Sequence, residues 1–277
     1  MNYNFNDVEN FLIQFLNKDV NDVKQFICFV LDISLTEFAC KKSYSNQEFN
    51  KLKNIAKKIK QGYPLNKAVG YAFFYGRKYK INKFVLAPRQ ETELVCERAL
   101  LELDNQKEKK VLDLCCGCGV IGITIAKQNE KAVVSCSDIS KKALDVASFN
   151  AKEHNANIKF IHSDMLKNIS GKFNLIVSNP PYVSQKDYAN LDSCVKNFDP
   201  KLSLVANSNG LSFYKKIASS VADYLEKDGV IVLEIGYNQG EDVQKIFSKQ
   251  FKDVKVYNDY NNNNRIVVVK GAKLYDR

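Results

Sequence analysis

From about residue 91 to residue 250 the chain alternates apolar runs with amphipathic ones, and that rhythm limits the fold more than any other feature. Helical spacing over 91–103 precedes a strand at 110–114, and helix 120–129 precedes strand 132–137. Helix 140–154 leads to strand 158–162, and strand 173–178 follows. Helix 211–226, strand 229–235, helix 240–250 and strands near 254–258 and 265–270 complete the set. Alternation of this kind predicts an α/β fold with a mostly parallel, Rossmann-like sheet carrying helices on both faces. The polar NDYNNNN segment at 258–264 makes the last two strands an antiparallel hairpin.

The first 70 residues follow a different rule. Phe5, Val8, Phe11, Leu12, Phe15 and Leu16 recur at helical spacing, as do Val23, Phe26, Ile27, Val30 and Leu31 after a polar break. Ser45 and Glu48 form a capping box opening a third helix, which Gly62 and Pro64 end. Short loops between these helices imply a small bundle over 1–70. Residues 71–88 are rich in aromatic and β-branched side chains around Gly76 and Asn82, and are expected to form a hairpin or linker. The α/β part then occupies 89–277.

Composition excludes several classes. No apolar run reaches the roughly 20 residues of a membrane span, and MNYNFNDVEN has neither the basic region nor the apolar core of a signal peptide. A cytoplasmic protein that acts as a monomer and does not bind membranes is expected. Eight cysteines without a secretion signal argue for reduced thiols. Cys115, Cys116, Cys118 and Cys136 crowd together, but the others are scattered and only two histidines exist, so no metal site is expected. The net charge of +10 is concentrated in 41–83, where eleven Lys and one Arg face the single acid Glu48. Such a stripe suits an acidic or nucleic-acid partner, or a solvated helix face.

Strand 110–114, KVLDL, runs directly into Cys115-Cys116-Gly117-Cys118-Gly119-Val120-Ile121-Gly122. Gly117, Gly119 and Gly122 make a G-x-G-x-x-G between strand and helix, and Asp138 follows at the end of the next strand. Glycines there let backbone approach a ligand, and the carboxylate accepts bonds from ribose hydroxyls. The pattern serves a nicotinamide cofactor or S-adenosylmethionine equally well. Asp113 at the end of its strand suits a cationic amino acid moiety and favours the methyl donor. His154 and His162 lie away from the strand termini and are expected to be structural, which disfavours hydride transfer. Asp164 and Met165 close the third strand, where they could hold an adenine by its amino group and its face.

The run FNLIVS at 173–178 ends in Asn179-Pro180-Pro181-Tyr182. Two prolines cannot continue a sheet, having no N–H to donate. The strand therefore stops where open α/β sheets bind ligands. The Asn179 oxygen and the Pro180 carbonyl are two acceptors for the N–H bonds of a planar amide or amino group, and Tyr182 can stack on that group. The chemistry that fits is N-methylation, with positioning as the main catalytic lever.

These motifs resemble those of the HemK-type release-factor glutamine N5-methyltransferases over nearly the whole chain. Ala87-Pro88-Arg89-Gln90-Glu91-Thr92-Glu93 is similar to that family's Pro-Arg-Pro-Glu-Thr-Glu segment. The glycine loop, Ser137 to Ser140, Asp164, the tetrapeptide, Asp199-Pro200, Leu233-Glu234-Ile235-Gly236 and Arg265 to Val268 continue the match. The resemblance implies a class I S-adenosylmethionine-dependent methyltransferase sheet in a catalytic domain over 89–277, with the N-terminal helices docking the substrate. It implies methylation of the glutamine side-chain nitrogen in the Gly-Gly-Gln motif of bacterial peptide chain release factors, with S-adenosylmethionine as cofactor. Asn179, Pro180 and Tyr182 would be catalytic. Asp113, Cys115, Cys116, Gly117, Cys118, Gly119, Asp138, Asp164, Met165 and Asn179 would bind the cofactor. Arg89, Glu91, Pro181 and the catalytic residues would bind the substrate. A ribosomal-protein glutamine methyltransferase and an adenine-N6 or cytosine-N4 nucleic-acid methyltransferase use the same tetrapeptide and stand as alternatives. Nucleic acid is the less expected substrate because that class normally needs an added target-recognition region, and the N-terminal helices are short for one. Cys115 replaces the first glycine of the loop, Gln90 replaces a proline, and asparagines fill the turn before Arg265. A side chain at Cys115 is expected to impose an ordinary negative φ.

Overall fold

The computed structural model describes residues 2–273. The chain forms two compact units, divided between Gly70 and Tyr71.

In the first unit, helices α1 (Phe5–Leu16), α2 (Val20–Leu31), α3 (Leu35–Cys40), α4 (Asn46–Lys60) and α5 (Leu65–Val69) accompany a small antiparallel ribbon of β1 (Asn2–Asn4) and β2 (Ser43–Ser45). Side-chain caps start the helices where sequence chemistry allows. Asn4 and Asp19 accept the backbone N–H groups of Asn6 and Asp22, while Ser34–Glu37 and Ser45–Glu48 are reciprocal capping boxes. Leu12, Ile27, Tyr44 and Leu52 form the centre of this unit's core. The basic residues of α4 lean on aromatic rings, with Lys53 over Phe11 and Lys60 over Phe15.

The second unit begins with a two-residue hairpin, β3 (Tyr71–Phe74) and β4 (Arg77–Lys80). Tyr75 and Gly76 both take positive φ, as a turn matched to strand twist requires. There follow α6 (Glu91–Asp104), β5 (Lys110–Leu114), α7 (Val120–Gln128), β6 (Val133–Asp138), α8 (Lys141–Glu153), β7 (Ile158–His162) and β8 (Phe173–Ser178). Short helices α9 (Gln185–Ala189) and α10 (Ser193–Phe198) precede α11 (Ser212–Ala218), β9 (Leu225–Glu234), α12 (Gly240–Ser248), β10 (Phe251–Asn258) and β11 (Asn264–Ala272).

Seven strands make one sheet in the order β10-β11-β9-β8-β5-β6-β7. The pairs from β9 through β7 are parallel, and β11 runs antiparallel to both neighbours. One core cluster lies on the sheet face that includes Val111, Leu175 and Val232, and a second on the face with Leu112, Ile176 and Leu233. Period-two alternation along the strands sends successive residues to these two layers. The strand order reverses beside β5, so the carboxyl ends of β5, β6 and β8 open a crevice there.

The helix expected over 211–226 is shorter. It stops at Ala218, a 3-10 turn covers Val221–Tyr224, and β9 already begins at Leu225. Ser219 turns its hydroxyl back onto the Lys216 carbonyl, the local competition that makes serine a weak helix former. Helices α9 and α10 fall in a stretch without strong periodicity. Among the described residues no helix is long and apolar enough to cross a membrane.

Candidate active site

A cavity of about 440 Å³ opens at the carboxyl ends of the parallel strands, within the size range of small-molecule sites. Cys115, Gly117 and Cys118 from the β5–α7 loop, Asp138 from β6, and Asp164 and Met165 after β7 line one end. Asn179, Pro181, Arg89 and Thr92 line the other. Residues as far apart in the chain as Phe84 and Lys216 thus face one space. Strand ends bring them there, because each strand hands its last residue to the same edge of the sheet.

The glycine loop is held from two sides. Asp138 accepts the Gly117 N–H on Oδ2 at 2.9 Å and the Ser140 N–H on Oδ1 at 2.8 Å. Burial pushes this carboxyl above its ordinary range, and the backbone N–H groups of Ser140, Gly117 and Ile139 pull it back. Each oxygen keeps a second lone pair for a ligand hydroxyl. A Cβ at Gly117 would meet nothing within 4 Å, so the backbone there borders open space. Gly122 has the opposite reason to be glycine: a Cβ would run into the Cys136 thiol.

Asp113 does not line the cavity. It lies fully buried beneath the loop, accepting the Gly122 N–H on Oδ2 at 2.9 Å. Its Oδ1 has no partner, and burial together with the Asp138 charge pushes the carboxyl up to about 7, against the Gly122 hydrogen bond. The expected contact with a cationic ligand gives way to a role under the loop, because alternation turns Asp113 toward α7 while Leu114 faces the opposite layer.

Cys115 also departs from expectation. Its φ is +63°, the left-handed region, where the loop has to turn whatever residue stands there. A Cβ in that region costs about 1 kcal/mol. The Sγ sits 3.9 Å from the Met165 sulfur, and burial raises the thiol above its ordinary range. Cys115→Gly is expected to be more stable than Cys115→Ala by about 1 kcal/mol in urea unfolding, since both lose the thiol but only alanine keeps the strain. Equal stabilities of the two variants would show that the loop relaxes.

Asp164 is paired with Lys167, which lowers its carboxyl below the ordinary range. His154 bonds the Lys78 carbonyl and His162 the Ile139 carbonyl, and neither histidine lines the cavity. Arg89 is exposed and pairs at 3.3 Å with Asp199, which is buried and also accepts the Ala87 N–H. Glu91 is exposed in the first turn of α6 and does not line the cavity.

Tyr182 is half-buried, and its ring is not part of the cavity wall. Its hydroxyl donates to Glu234 Oε1 at 3.3 Å, and its carbonyl accepts from Gln239 Nε2 at 3.0 Å. A Cβ at Gly210, whose φ is +85°, would collide with that same carbonyl. Three separate segments thereby clamp the tetrapeptide. Thr92 and Glu234 are the residues that sequence reasoning did not assign. A glutamate closing the apolar run Val230 to Leu233 was the available signal, since such a carboxylate needs buried partners.

Residues 95–198 match the family described as Methyltransferase small domain. The chain is 41% identical over 229 residues to the release factor glutamine methyltransferase of Lactococcus lactis subsp. lactis (strain IL1403), covering 82% of this chain and 84% of that one. It is 37% identical over 243 residues to the release factor glutamine methyltransferase of Streptococcus pneumoniae (strain ATCC BAA-255 / R6), covering 86% and 87%. The chain belongs to the release factor glutamine methyltransferase family. A methyltransferase crystal structure from Pyrococcus furiosus superposes with a TM-score of 0.53 at 15% identity, covering 83% of this chain and all of that one. The sheet of this release factor glutamine methyltransferase family member is therefore of the class I S-adenosylmethionine-dependent methyltransferase type.

Proposed function

We propose that this chain transfers a methyl group from S-adenosylmethionine to the side-chain amide nitrogen of the glutamine in the Gly-Gly-Gln motif of bacterial release factors. The observation that carries the reading is a single cavity with a ribose-type carboxylate, Asp138, at one end and the amide of Asn179 at the other. Kinship with relatives of that name over most of both chains supports the choice of substrate.

The residues fit the cofactor. Backbone from Cys115 to Cys118 approaches it where Gly117 leaves room, Gly119 lies outside the lining against Ala147 and Ile123, and Asp138 accepts its ribose hydroxyls. Asp164 and Met165 hold the adenine between a carboxylate and an apolar thioether. S-adenosylmethionine, when bound, supplies a methyl group on a positively charged sulfur. The acceptor end does the rest by positioning. Asn179 Oδ1 and the Pro180 carbonyl accept the two N–H bonds of the substrate amide and aim its nitrogen along the cavity. Pro181 walls the site. Tyr182, whose ring lies outside the cavity wall, serves by anchoring the tetrapeptide to Glu234. Arg89 in the lining and Glu91 outside it contact the incoming protein loop. The basic face of α4 gives the first unit a surface for an acidic protein.

Labelled methyl donor incubated with purified release factor should mark one glutamine. A release factor with that glutamine changed to alanine should take up no label. Label entering duplex DNA or a ribosomal protein instead would overturn the substrate assignment.

A further inference from the structure

Three hydrogen bonds tie the acceptor tetrapeptide to the carboxylate at the end of β9. Thr92 Oγ1 donates to Glu234 Oε2 at 2.7 Å, Asn179 Nδ2 donates to Thr92 Oγ1 at 3.3 Å, and Tyr182 donates to Glu234 Oε1 at 3.3 Å. Thr92 is 3% exposed and Glu234 2%, so solvent does not compete for these bonds. The logic of the chain is directional. An ionised carboxylate can only accept, and a hydroxyl has one proton. The Thr92 proton therefore lies in the bond to Glu234, and Thr92 can face Asn179 only through a lone pair. An asparagine amide is nearly symmetric in shape, and its orientation is decided by its partners. Here Nδ2 must turn to Thr92, which leaves Oδ1 as the side-chain atom directed to the cavity.

We propose that Glu234 and Thr92 are positioning residues for methyl transfer, a carboxylate–hydroxyl relay that holds Asn179 in the one amide orientation offering an acceptor to the substrate nitrogen. The proposal rests on the role given above to Asn179.

Protonation reverses the relay. A neutral Glu234 carboxyl can donate to Thr92, Thr92 can then donate to Asn179 Oδ1, and the amide presents its N–H groups to substrate N–H groups. Burial pushes Glu234 up to about 6; Thr92, the Arg265 guanidinium from β11 and the Tyr182 hydroxyl oppose that rise, and Glu91 of α6 adds to it. Tyr214 of α11, pushed well above its ordinary range by burial, stays neutral and donates to the Glu234 backbone carbonyl. Cys96 of α6 is likewise raised by burial and stays a thiol. Glu234 is thus the carboxyl bonded to the tetrapeptide that changes charge just below neutral pH, whereas Asp113, pushed up to about 7, is bonded to Gly122 under the glycine loop. Its charged form is lost as pH falls through about 6, and the relay with it.

The test is single-turnover methyl transfer to release factor by wild type, Thr92→Val and Thr92→Ser across pH 5 to 8, with donor affinity by calorimetry and thermal melting alongside. Thr92→Val should slow transfer about 10- to 100-fold at neutral pH, the consequence of losing a hydrogen bond to a charged group, with donor affinity unchanged. Thr92→Ser should restore the rate. Wild type and Thr92→Ser should lose rate on the acid side of about pH 6, and Thr92→Val should be flat there. A Thr92→Val rate close to wild type, an acid limb persisting in that variant, or a serine variant as slow as valine would each overturn the relay. Should Thr92→Val fail to fold, a wild-type rate that is level from pH 5 to 7 still overturns it. Full transfer by Asn179→Ala would defeat the site reading itself, whereas a slow Asn179→Ala beside a normal Thr92→Val defeats the relay alone.

Discussion

Asn179→Ala is expected to slow methyl transfer on the order of 10²–10³, the usual cost of removing one preorganised group aimed at the reacting centre. An amide nitrogen is a poor nucleophile because its lone pair is delocalised into the carbonyl. Holding both N–H bonds fixes the plane of the amide and sets the lone pair perpendicular to it. In the proposed mechanism Asn179 supplies one of the two acceptors from the end of β8 and the carbonyl of Pro180, a buried residue outside the cavity lining, the other, with no backbone N–H at Pro180 or Pro181 to compete. Donor affinity should change little, because the proposed donor contacts, Gly117 and Asp138, come from the ends of β5 and β6 and not from β8. Asn179→Asp should also be slow. Its oxygen would face a Thr92 lone pair whose only proton is already given to Glu234, so two carboxylates would share one hydroxyl. Single-turnover transfer to a release-factor domain measures both variants, and near wild-type rates for Asn179→Ala would remove the tetrapeptide from the chemistry.

Asp138→Ala should have the largest effect on binding. It deletes the acceptor proposed for the ribose hydroxyls and, at the same time, the two bonds that hold the Gly117 and Ser140 backbone. Hydrogen bonds to a charged group contribute about 1.5–3 kcal/mol each, so losing two ligand contacts weakens the donor on the order of 10² or more. Calorimetry with S-adenosylmethionine is the measurement, with circular dichroism to confirm that the sheet survives. The Michaelis constant for release factor should not move. Unchanged donor affinity would sink the assignment of Asp138, and binding of NADH without S-adenosylmethionine would overturn the donor reading.

Features legible in the sequence share a short range. The strand at 110–114 and its glycine loop, the stop at Pro180, and the capping box at Ser45 each depend on neighbours within a few residues. Local signals failed where another segment competed. Serines in the middle of 211–226 and the left-handed turn at Cys115 belong to this group. At Cys115 the loop must bend back under Asp138 and over Asp113, so the backbone takes φ +63° and the residue accepts the cost.

The sequence by itself determined the alternation of elements, the end at which strands deliver their last residues, and the carboxylate and amide, Asp138 and Asn179, that stand at those strand ends. Tertiary structure alone decided how those groups are oriented. The Thr92–Glu234 bond joins residues 142 positions apart, and the Arg89–Asp199 pair spans 110. Asp113 and Leu114 are adjacent in the chain yet face opposite layers of the sheet, one under the glycine loop and the other in the second core. The direction in which Asn179 presents its amide is written in neither Asn179 nor its neighbours. It follows from a single proton on Thr92, whose destination is set by a carboxylate that the sheet buries beside it.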